Sequence, residues 1–465
     1  MIENNKIHGI ICLEEVTNMI KKVKLKNYKS FKDFEFEIKE YMNAQNIALI
    51  YGENGSGKSN LISSFNFLTR TLSTFGNIEN YNRLIHMSTE KDLGSTRDII
   101  DMMIIEFGLK EQISNARRIG IDTKDTMELE FLFDVKDMNF TYSLVFDAER
   151  VIKETLNGPL KTNSVEIFNI DYNDSLRHKI NLNLFSNEYN NEIDKLLTQY
   201  FGKHTLLSIL NYEINQKNTA YIKSNINNNF LSFIDYLKKI SIIYNDTSYD
   251  VNTINSDNRF VSSLSKGSIN ENEFGKLVNS EKALNLFFSS LYSSVKSVTY
   301  KTEKNKNKLK YELYFNKIVG GKITSVPINY ESRGTKKLLE LFPYLFNLLN
   351  GGIVIIDELE TGIHDVLMST LVEHLTETAG LGQLIATTHN TMLLEIVDKK
   401  NVYILDSDDK GNGFIYNLSN SKTPIQKNHS LYNNYKKGAY GGIPIPGYFD
   451  FEDLKHCLDE DTGNE

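Results

Sequence analysis

The strongest constraint on the fold of this chain is a run of eight residues near its start, which fits the pattern G-x-x-x-x-G-K-[ST]. The run reads Gly52, Glu53, Asn54, Gly55, Ser56, Gly57, Lys58 and Ser59. A short apolar stretch at 46–51 precedes it, and apolar residues at helical spacing occupy 59–72. A strand, a glycine loop and a helix in this order form the context in which the pattern holds phosphate groups. The sequence therefore predicts a phosphate-binding loop rather than a chance glycine-rich turn.

Each residue type in this loop has a chemical task. Glycines let successive backbone N–H groups turn toward phosphate oxygens, and the start of the following helix adds its dipole. Lys58 reaches the β- and γ-phosphates as a point charge, and the Ser59 hydroxyl is a ligand for Mg²⁺. Asn60 follows directly and is counted with the loop. We therefore expect a nucleoside triphosphate to bind here together with Mg²⁺.

Length and composition limit the class of protein. A chain of 465 residues exceeds the size at which one hydrophobic core keeps growing, so we expect two structural units, one of which interrupts the other. The net charge of −8 argues against a whole-molecule electrostatic nucleic-acid binder. No apolar stretch is long enough to span a membrane. The two cysteines, Cys12 and Cys457, allow no disulfide framework, which suits a reducing cytoplasm.

Periodicity predicts an α/β core that is split by a long insertion. Strand patterns occur at 20–39, 127–156 and 309–330, whereas helical stretches are expected near 190–213, 227–244 and 280–297. The expected division is a 1–19 N-terminal extension, a 20–156 N-lobe, a mainly helical 157–300 insertion, a 301–430 C-lobe and a 431–465 tail. We expect the insertion to be a lid or arm that binds a partner.

A pair of carboxylates follows another apolar strand, 300 residues after the loop. Residues 353–356 are all apolar, and Asp357 and Glu358 come next. Ligands of open α/β sheets lie at the C-terminal ends of strands, so Asp357 is predicted to hold Mg²⁺ and Glu358 to orient the attacking water or accept its proton. Taken alone, this pattern is equally typical of a strand end with solvated carboxylates.

Two further motifs flank the carboxylates. Ser332, Gly334 and Thr335 open the helix that leads to the strand, which predicts a second anion site. One molecule has no obvious use for two such sites, but in a head-to-tail dimer the second site of one subunit can close on the γ-phosphate held by the other. The alternative is a simple helix cap made by Ser332. His389 follows the apolar strand 384–387 and is predicted to contact the γ-phosphate or the lytic water, although a lone histidine there is usually structural.

In this order, the motifs resemble the ABC-type ATPase heads of SMC, RecF and OLD-family proteins. The stretches 331–339 and 357–364 look most like the compact ATPases of bacterial anti-phage systems, such as the RloA/AbiL type and the AriA subunit of PARIS. The resemblance implies a P-loop NTPase fold of ABC-head type with a mixed β-sheet. It also implies ATP hydrolysis with Glu358, His389 and Lys58 as catalytic residues, and dimerisation of two heads around ATP.

The resemblance extends to the start of the N-lobe. Leu25–Phe31 is similar to the opening segment of these heads, which lies near the adenine and ribose. It therefore implies that ATP contacts Asn27, Lys29, Ser30 and Phe31. The chain also departs from the pattern, because no coupling glutamine can be placed between 70 and 130. The Asp406–Asp409 stretch is interpreted as a polar hairpin turn rather than a nuclease metal site, so the chain is expected to lack its own nuclease.

Three functions fit these observations. The first is an ATPase that senses or scaffolds in phage defence, together with a separately encoded effector nuclease of TOPRIM or RloB-like type. The second is a RecF/SMC-like DNA maintenance ATPase that clamps duplex DNA, for which the lysines between 301 and 310 offer a basic run or merely a solvated strand edge. In the third, ATP is a structural glue with negligible turnover.

Overall fold

Three large β-sheets, the two-stranded sheet β3-β4 and the helices make up the architecture of the described residues. The computed structural model describes residues 18–40, 43–44, 46–87, 108–172, 174–216, 219–245, 250–253, 259–305, 308–378, 382–421, 430–444, 447 and 450–452. The strands of these residues are β1 (Asn18–Tyr28), β2 (Phe31–Glu37), β3 (Lys39–Glu40), β4 (Asn43–Ala44), β5 (Ile47–Gly52), β6 (Met127–Val135), β7 (Met138–Phe146), β8 (Val151–Pro159), β9 (Ser164–Tyr172), β10 (Leu176–Ile180), β11 (Ile240–Asn245), β12 (Asp250–Thr253), β13 (Lys266–Asn270), β14 (Val295–Asn305), β15 (Lys308–Val319), β16 (Lys322–Pro327), β17 (Ile353–Ile356), β18 (Gln383–Thr387), β19 (Val402–Ser407) and β20 (Gly413–Asn417).

The helices of the described residues connect these strands. They are α1 (Lys58–Thr71), α2 (Thr74–Met87), α3 (Leu109–Ala116), α4 (Asn187–Tyr200), α5 (Leu206–Gln216), α6 (Thr219–Ser224), α7 (Asn228–Leu237), α8 (Phe274–Leu291), α9 (Arg333–Leu349), α10 (Asp365–Glu377) and α11 (Leu431–Lys436). Within this part of the chain, no helix is both long and apolar enough to cross a membrane.

The central sheet is mainly parallel, and the predicted site lies at the C-terminal ends of its parallel strands. Its order is β12-β11-β17-β18-β5-β19-β20, with five parallel strands between two antiparallel edge strands. All residues of β5, β17 and β18 are buried, as expected for strands that are covered on both faces. The C-terminal ends of these three strands therefore lie side by side, and the loops that follow them meet.

The second sheet is antiparallel and packs over α1. Its order is β10-β9-β8-β7-β6-β1-β2, and apolar residues alternate along β6 so that one face is buried. The ring of Phe65 on α1 lies 6.1 Å from that of Phe131 on β6, measured between centroids. Gln383 joins the two sheets, because its side chain accepts a hydrogen bond from the backbone N–H of Ile20 and donates one to the Ile20 carbonyl, at 2.8 and 2.9 Å.

The third sheet consists of β13, β14, β15 and β16 and forms a second core with α8 and α9. Phe288 on α8 packs edge-on against Phe315 on β15, with 4.9 Å between the ring centroids. Helix α9 ends as predicted, because Gly351 adopts a φ of 74° that few other residues tolerate. This helix begins at Arg333 and leads directly into β17, so it connects the third sheet with the central one.

The structure corrects the expectation for residues 157–300. Helices α4, α5, α7 and α8 lie close to the predicted positions, but the segment also contributes strands to all three sheets. Residues 240–244, which were expected to be helical, belong to β11, which pairs in parallel with β17. The run from Ile240 to Ile243 is short and rich in β-branched residues, and periodicity cannot distinguish a buried strand from a buried helix in such a run. The segment is therefore partly built into the core. Most of the predicted N-terminal extension lies outside the described residues.

Candidate active site

The loop between β5 and α1 has the shape of an open cradle. Gly57 adopts a φ of 105°, and a Cβ atom added to it would lie 2.9 Å from Cζ of Phe31. Helix α1 starts directly after Gly57, and no side chain caps its first backbone N–H groups. The hydroxyl oxygen of Ser56 is buried and has no hydrogen-bond partner among the described residues. A buried unpaired hydroxyl and an uncapped helix start both fit a bound anion.

Lys58 occupies the centre of this loop. Its side chain donates to the carbonyl oxygens of Gly52 and Glu53, at 2.8 and 2.9 Å, and only 7% of the residue is exposed. Burial lowers the pKa of Lys58, and the carboxylates of Asp357 and Glu358 oppose this shift. The lysine and both predicted acids therefore share one electrostatic environment, although 299 positions separate Lys58 from Asp357 in the chain.

Asp357 lies between Ser59 and Thr387. Its Oδ1 atom accepts a hydrogen bond from the Thr387 hydroxyl at 2.6 Å. Burial raises the pKa of Asp357, whereas the polar side chains of Thr387 and Ser59 and the charge of Lys58 lower it. Ser59, which the sequence predicts as the other magnesium ligand, is therefore near enough to act on the Asp357 carboxylate.

Glu358 has an unusual backbone conformation and an exposed side chain. Its φ of 55° lies in the left-handed region, which costs a non-glycine residue free energy and is concentrated at functional sites. Its backbone N–H donates to the Thr387 hydroxyl at 2.8 Å, and its Oε2 accepts from the Thr361 hydroxyl at 2.9 Å. These contacts turn the carboxylate away from the core and fix its direction.

His389 begins the loop that follows β18. Desolvation and then the charge of Lys58 lower its pKa, while Glu360, Glu358 and Asp357 raise it. The net direction keeps the imidazole neutral near pH 7, and a neutral ring offers one donor and one acceptor nitrogen. The structure therefore brings His389, Lys58 and the acidic pair together, as the sequence predicted for their positions.

Sequence reasoning missed two residues that organise these loops. Glu360 accepts from the His389 backbone N–H at 2.6 Å and from the Thr388 hydroxyl at 2.7 Å, so it ties the acidic loop to the histidine loop. Thr387 holds both Asp357 and the backbone of Glu358. The only signal in the sequence was the polar end of an otherwise apolar strand, which by itself is too common to indicate a site.

The Ser332 motif forms the start of α9 and is already capped. Ser332 accepts from the Thr335 backbone N–H at 3.1 Å and lies 2.9 Å from the Thr335 hydroxyl. Gly334 approaches the loop after Glu358 so closely that an added Cβ would lie 3.1 Å from the Gly362 carbonyl. The motif therefore lies beside the acidic loop of the same chain. Its contacts are those of a simple helix cap, which the sequence left open as an alternative to an anion site.

The segment predicted to lie near adenine and ribose divides into two groups. Ser30 accepts from the Asn60 side chain at 2.8 Å, and the ring of Phe31 packs against Gly57, so these residues border the phosphate loop. Asn27 instead donates to the Thr126 carbonyl at 2.8 Å, and the ammonium group of Lys29 lies 3.1 Å from the Tyr244 hydroxyl. The nucleotide-binding role of all these residues stays a prediction.

Comparison with known families agrees with this geometry. The model of the family described as "AAA domain, putative AbiEii toxin, Type IV TA system" matches residues 47–395, well over half of the chain. The chain belongs to this family. The matched range of this AbiEii-type AAA family includes the phosphate loop, the Ser332 motif, the acidic pair and His389. The predicted resemblance to ABC-type ATPases of this group is thereby confirmed, and with it the α/β fold class. The protein therefore contains an AAA-type ATPase domain.

Individual relatives are distant. The "Retron Vc95 probable ATPase" of Vibrio cholerae serotype O1 biovar El Tor is 23% identical over 439 residues, which cover 88% of this chain and 77% of the relative. Among solved structures, an SMC head bound to the C-winged helix domain of ScpA covers 85% of this chain and 96% of its own, with 14% identity and a TM-score of 0.42. The SMC head domain from Thermotoga maritima covers 88% and 99%, with 14% identity and a TM-score of 0.37.

The donor set at the site fits magnesium. Ser59 and Asp357 supply a hydroxyl and a carboxylate oxygen, which are the hard ligands that Mg²⁺ prefers. Among the described residues, no group of three or more histidine, cysteine, aspartate and glutamate side chains is arranged to hold a metal. Mg²⁺ usually keeps several waters and shares substrate phosphates rather than filling an all-protein cage, so two protein ligands are sufficient.

Proposed function

We propose that this protein binds and hydrolyses ATP with Mg²⁺ and that two copies dimerise head to tail around it. We further propose that it is the cytoplasmic sensor or scaffold subunit of an anti-phage system that acts with a separately encoded effector nuclease. The observation that carries the enzymatic part is the convergence of Ser59, Lys58 and Glu358 on the buried carboxylate of Asp357.

Each residue of the site has a role in this proposal. The phosphate loop and Lys58 bind the triphosphate, and Ser59 and Asp357 hold Mg²⁺, which neutralises charge on the phosphates. Glu358 orients the attacking water, and its contacts to Thr361 and Thr387 keep its carboxylate in place. His389, as a neutral imidazole, hydrogen-bonds the γ-phosphate end of the substrate.

The dimer is supported by the difference between the two helix starts. The Ser332 motif offers a second anion site. It lies against Gly362 in the loop after Glu358, and not at the phosphate loop of its own chain. In a twofold dimer, the motif of one subunit completes the site of the other. The family description names a toxin of a toxin–antitoxin system and the relative is named a retron ATPase, which supports the defence role.

Mixing two inactive variants tests the shared site. Lys58→Ala removes the phosphate lysine and Ser332→Arg blocks the closing motif, so each homodimer is expected to be inactive. In a mixed dimer, one site keeps both an intact Lys58 and an intact Ser332. We expect the equimolar mixture to recover roughly a quarter of the parental turnover, because half of the dimers are mixed and each retains one of two sites.

The matched control is Lys58→Ala mixed with the double variant Lys58→Ala/Ser332→Arg, since no combination of these chains rebuilds a site. An inactive mixture of the two single variants, both folded, would contradict the shared site. Light scattering with Glu358→Gln, which is expected to bind ATP without turning it over, measures whether ATP·Mg²⁺ produces the dimer.

A separate experiment tests the division of labour. The purified chain is expected to leave plasmid DNA and RNA intact with Mg²⁺ or Mn²⁺, and cleavage would contradict a separate nuclease. The DNA-clamp alternative predicts binding to duplex DNA that weakens steeply with salt. In the lysine-rich third sheet, Lys304 pairs with Glu271 at 2.6 Å and Lys301 lies 4.0 Å from the centre of the Tyr314 ring. These contacts hold both ammonium groups on the protein.

A further inference from the structure

The C-terminal segment 430–444 packs against β19 and β20 of the central sheet, next to the phosphate loop. Its helix α11 begins at Leu431, and the side chains of Tyr435 and Tyr440 are buried, with 7% and 3% of each residue exposed. Tyr416 on β20 donates a hydrogen bond to the Tyr440 carbonyl. The segment is therefore packed into the core rather than attached loosely to it.

The segment contacts the base of the phosphate loop through Gly442. The Gly442 backbone N–H donates to Oδ2 of Asp406 at 3.1 Å, and its φ of 66° suits glycine. A Cβ atom added to Gly442 would lie 2.8 Å from Cγ2 of Ile404 and 3.3 Å from Cα of Gly52. Gly52 is the first residue of the phosphate loop, and its carbonyl accepts from Lys58. The tail backbone thus lies directly against the residue that anchors the lysine.

A second line of contacts reaches the histidine loop. The Tyr435 hydroxyl donates to the Gly442 carbonyl at 2.8 Å, and its ring packs edge-on against Tyr51 with 5.5 Å between centroids. The Tyr51 hydroxyl in turn donates to the carbonyl of Asn390 at 2.9 Å, one residue after His389. Helix α11 also packs against the short turn Thr391–Glu395 that continues this loop. Both loops of the site therefore have the same support.

We propose that the segment 430–444 is a brace that positions the phosphate loop and the His389 loop relative to each other, with Gly442 and Tyr435 as positioning residues. They act through Gly52 and through Tyr51 to Asn390, and neither needs to touch ATP. The proposal rests on the proposed ATP hydrolysis. Small displacements of groups that orient a substrate cost large factors in rate, so a brace of this kind controls turnover from outside the site.

A matched pair of glycine substitutions tests the brace. Gly442→Ala introduces a methyl group against Ile404 and Gly52, whereas Gly411→Ala, at a similar φ of 74°, meets no atom within 4 Å. We expect Gly442→Ala to lower kcat for ATP by about 10-fold or more and Gly411→Ala to leave it at the parental value. Tyr435→Phe keeps the ring and removes only the hydroxyl, so a smaller loss of kcat in a fully folded protein is expected.

Hydrogen–deuterium exchange separates positioning from a general loss of structure. In Gly442→Ala, exchange should rise at 50–58 and 388–392 and stay at the parental level in β15, without any nucleotide present. Parental protein that does not hydrolyse ATP would contradict the proposed function, and the exchange pattern would still decide the brace. Equal turnover and equal exchange in Gly442→Ala and Gly411→Ala would overturn the brace.

Discussion

The starts of α1 and α9 look alike in sequence but differ in structure. Each follows a short polar loop that contains glycine or serine, and each has lysine in its first turn. At α1, Gly57 supplies no side-chain cap, and the buried hydroxyl of Ser56 has no partner in the described structure. At α9, Ser332 already accepts the hydrogen bond from Thr335. The first start has no side-chain cap and leaves its backbone donors to an external anion, whereas at the second start Ser332 satisfies one of the donors.

A third helix start shows what an anion contributes in this chain. The buried carboxylate of Glu154 accepts from the backbone N–H groups of Leu206 and Leu207 at the beginning of α5, at 2.5 and 3.2 Å. A carboxyl group therefore occupies the position at α5 that we assign to phosphate at α1. The comparison implies that the backbone N–H groups at the start of each helix find a different partner: a ligand at α1, an internal carboxyl group at α5 and Ser332 at α9.

The largest expected effect comes from replacing Lys58 of α1 with alanine, and Lys336 of α9 provides the matched comparison. Lys58→Ala should abolish ATP binding, because the side chain is buried in the loop and carries its positive charge toward the phosphates. Lys336→Ala removes an exposed lysine from the first turn of α9 and should leave binding unchanged. Equilibrium binding of labelled ATP measures both. Equal affinities would show that the two helix starts are equivalent.

Thr387→Val should weaken magnesium binding without removing the site. The substitution deletes the hydroxyl that donates to Asp357 and accepts from the Glu358 N–H, so the pKa of Asp357 rises further and its carboxylate loses its orientation. Loss of such an outer contact typically costs 10- to 100-fold in metal affinity, and we expect about 10-fold in the Mg²⁺ concentration at half-maximal turnover. The control is Thr370→Val, a half-buried threonine on α10 whose hydroxyl donates to the Val366 carbonyl. An unchanged Mg²⁺ dependence would remove Thr387 from the site.

The sequence predicted the residues that are proposed to contact phosphate better than the residues that position them. The loop 52–59 and the acidic pair were recognisable because their residue types are fixed by chemistry and their spacing is local. Glu360 and Thr387 were not, because their role depends on which strands become neighbours. The same limit explains β11: its apolar run is compatible with either helix or strand, and only pairing with β17 decides between them.

The segment 430–444 shows that contacts between distant positions of the chain are equally hard to predict from the sequence. Gly442 and Tyr435 stand in a short glycine-rich stretch that carries little information by itself. Their contacts to Gly52 and Tyr51 join positions almost 400 residues apart. The Asp406 side chain accepts a hydrogen bond from the Gly442 N–H, and Asp408 forms the predicted turn with Lys410 and Asn412.

The internal acid at α5 predicts a pH dependence of stability. Burial raises the pKa of Glu154 to about 7, against the hydrogen bonds from Leu206 and Tyr142 that lower it. The folded state thus holds the proton more tightly than the unfolded state, so stability should fall as pH rises from about 4.5 to about 7 and then level off. The slope is at most about 1.4 kcal/mol per pH unit. Urea unfolding between pH 5 and 8 measures it. Glu154→Gln should flatten the curve, and Glu149→Gln on the surface should retain it.

The smallest expected effect concerns the cap of α9. Ser332→Ala removes the acceptor for the Thr335 N–H, and the loss of a serine cap typically costs about 1 kcal/mol of unfolding free energy. Ser430→Ala, which removes the corresponding cap of α11, is a matched comparison for the cost of a cap alone.

ATP binding by the Ser332→Ala monomer should equal that of the parent, because α1 holds the nucleotide. If urea unfolding shows the cap loss and turnover falls only under conditions that favour the dimer, the serine of α9 acts in the partner's site. If turnover falls equally in the monomer, both helix starts serve the same nucleotide within one chain.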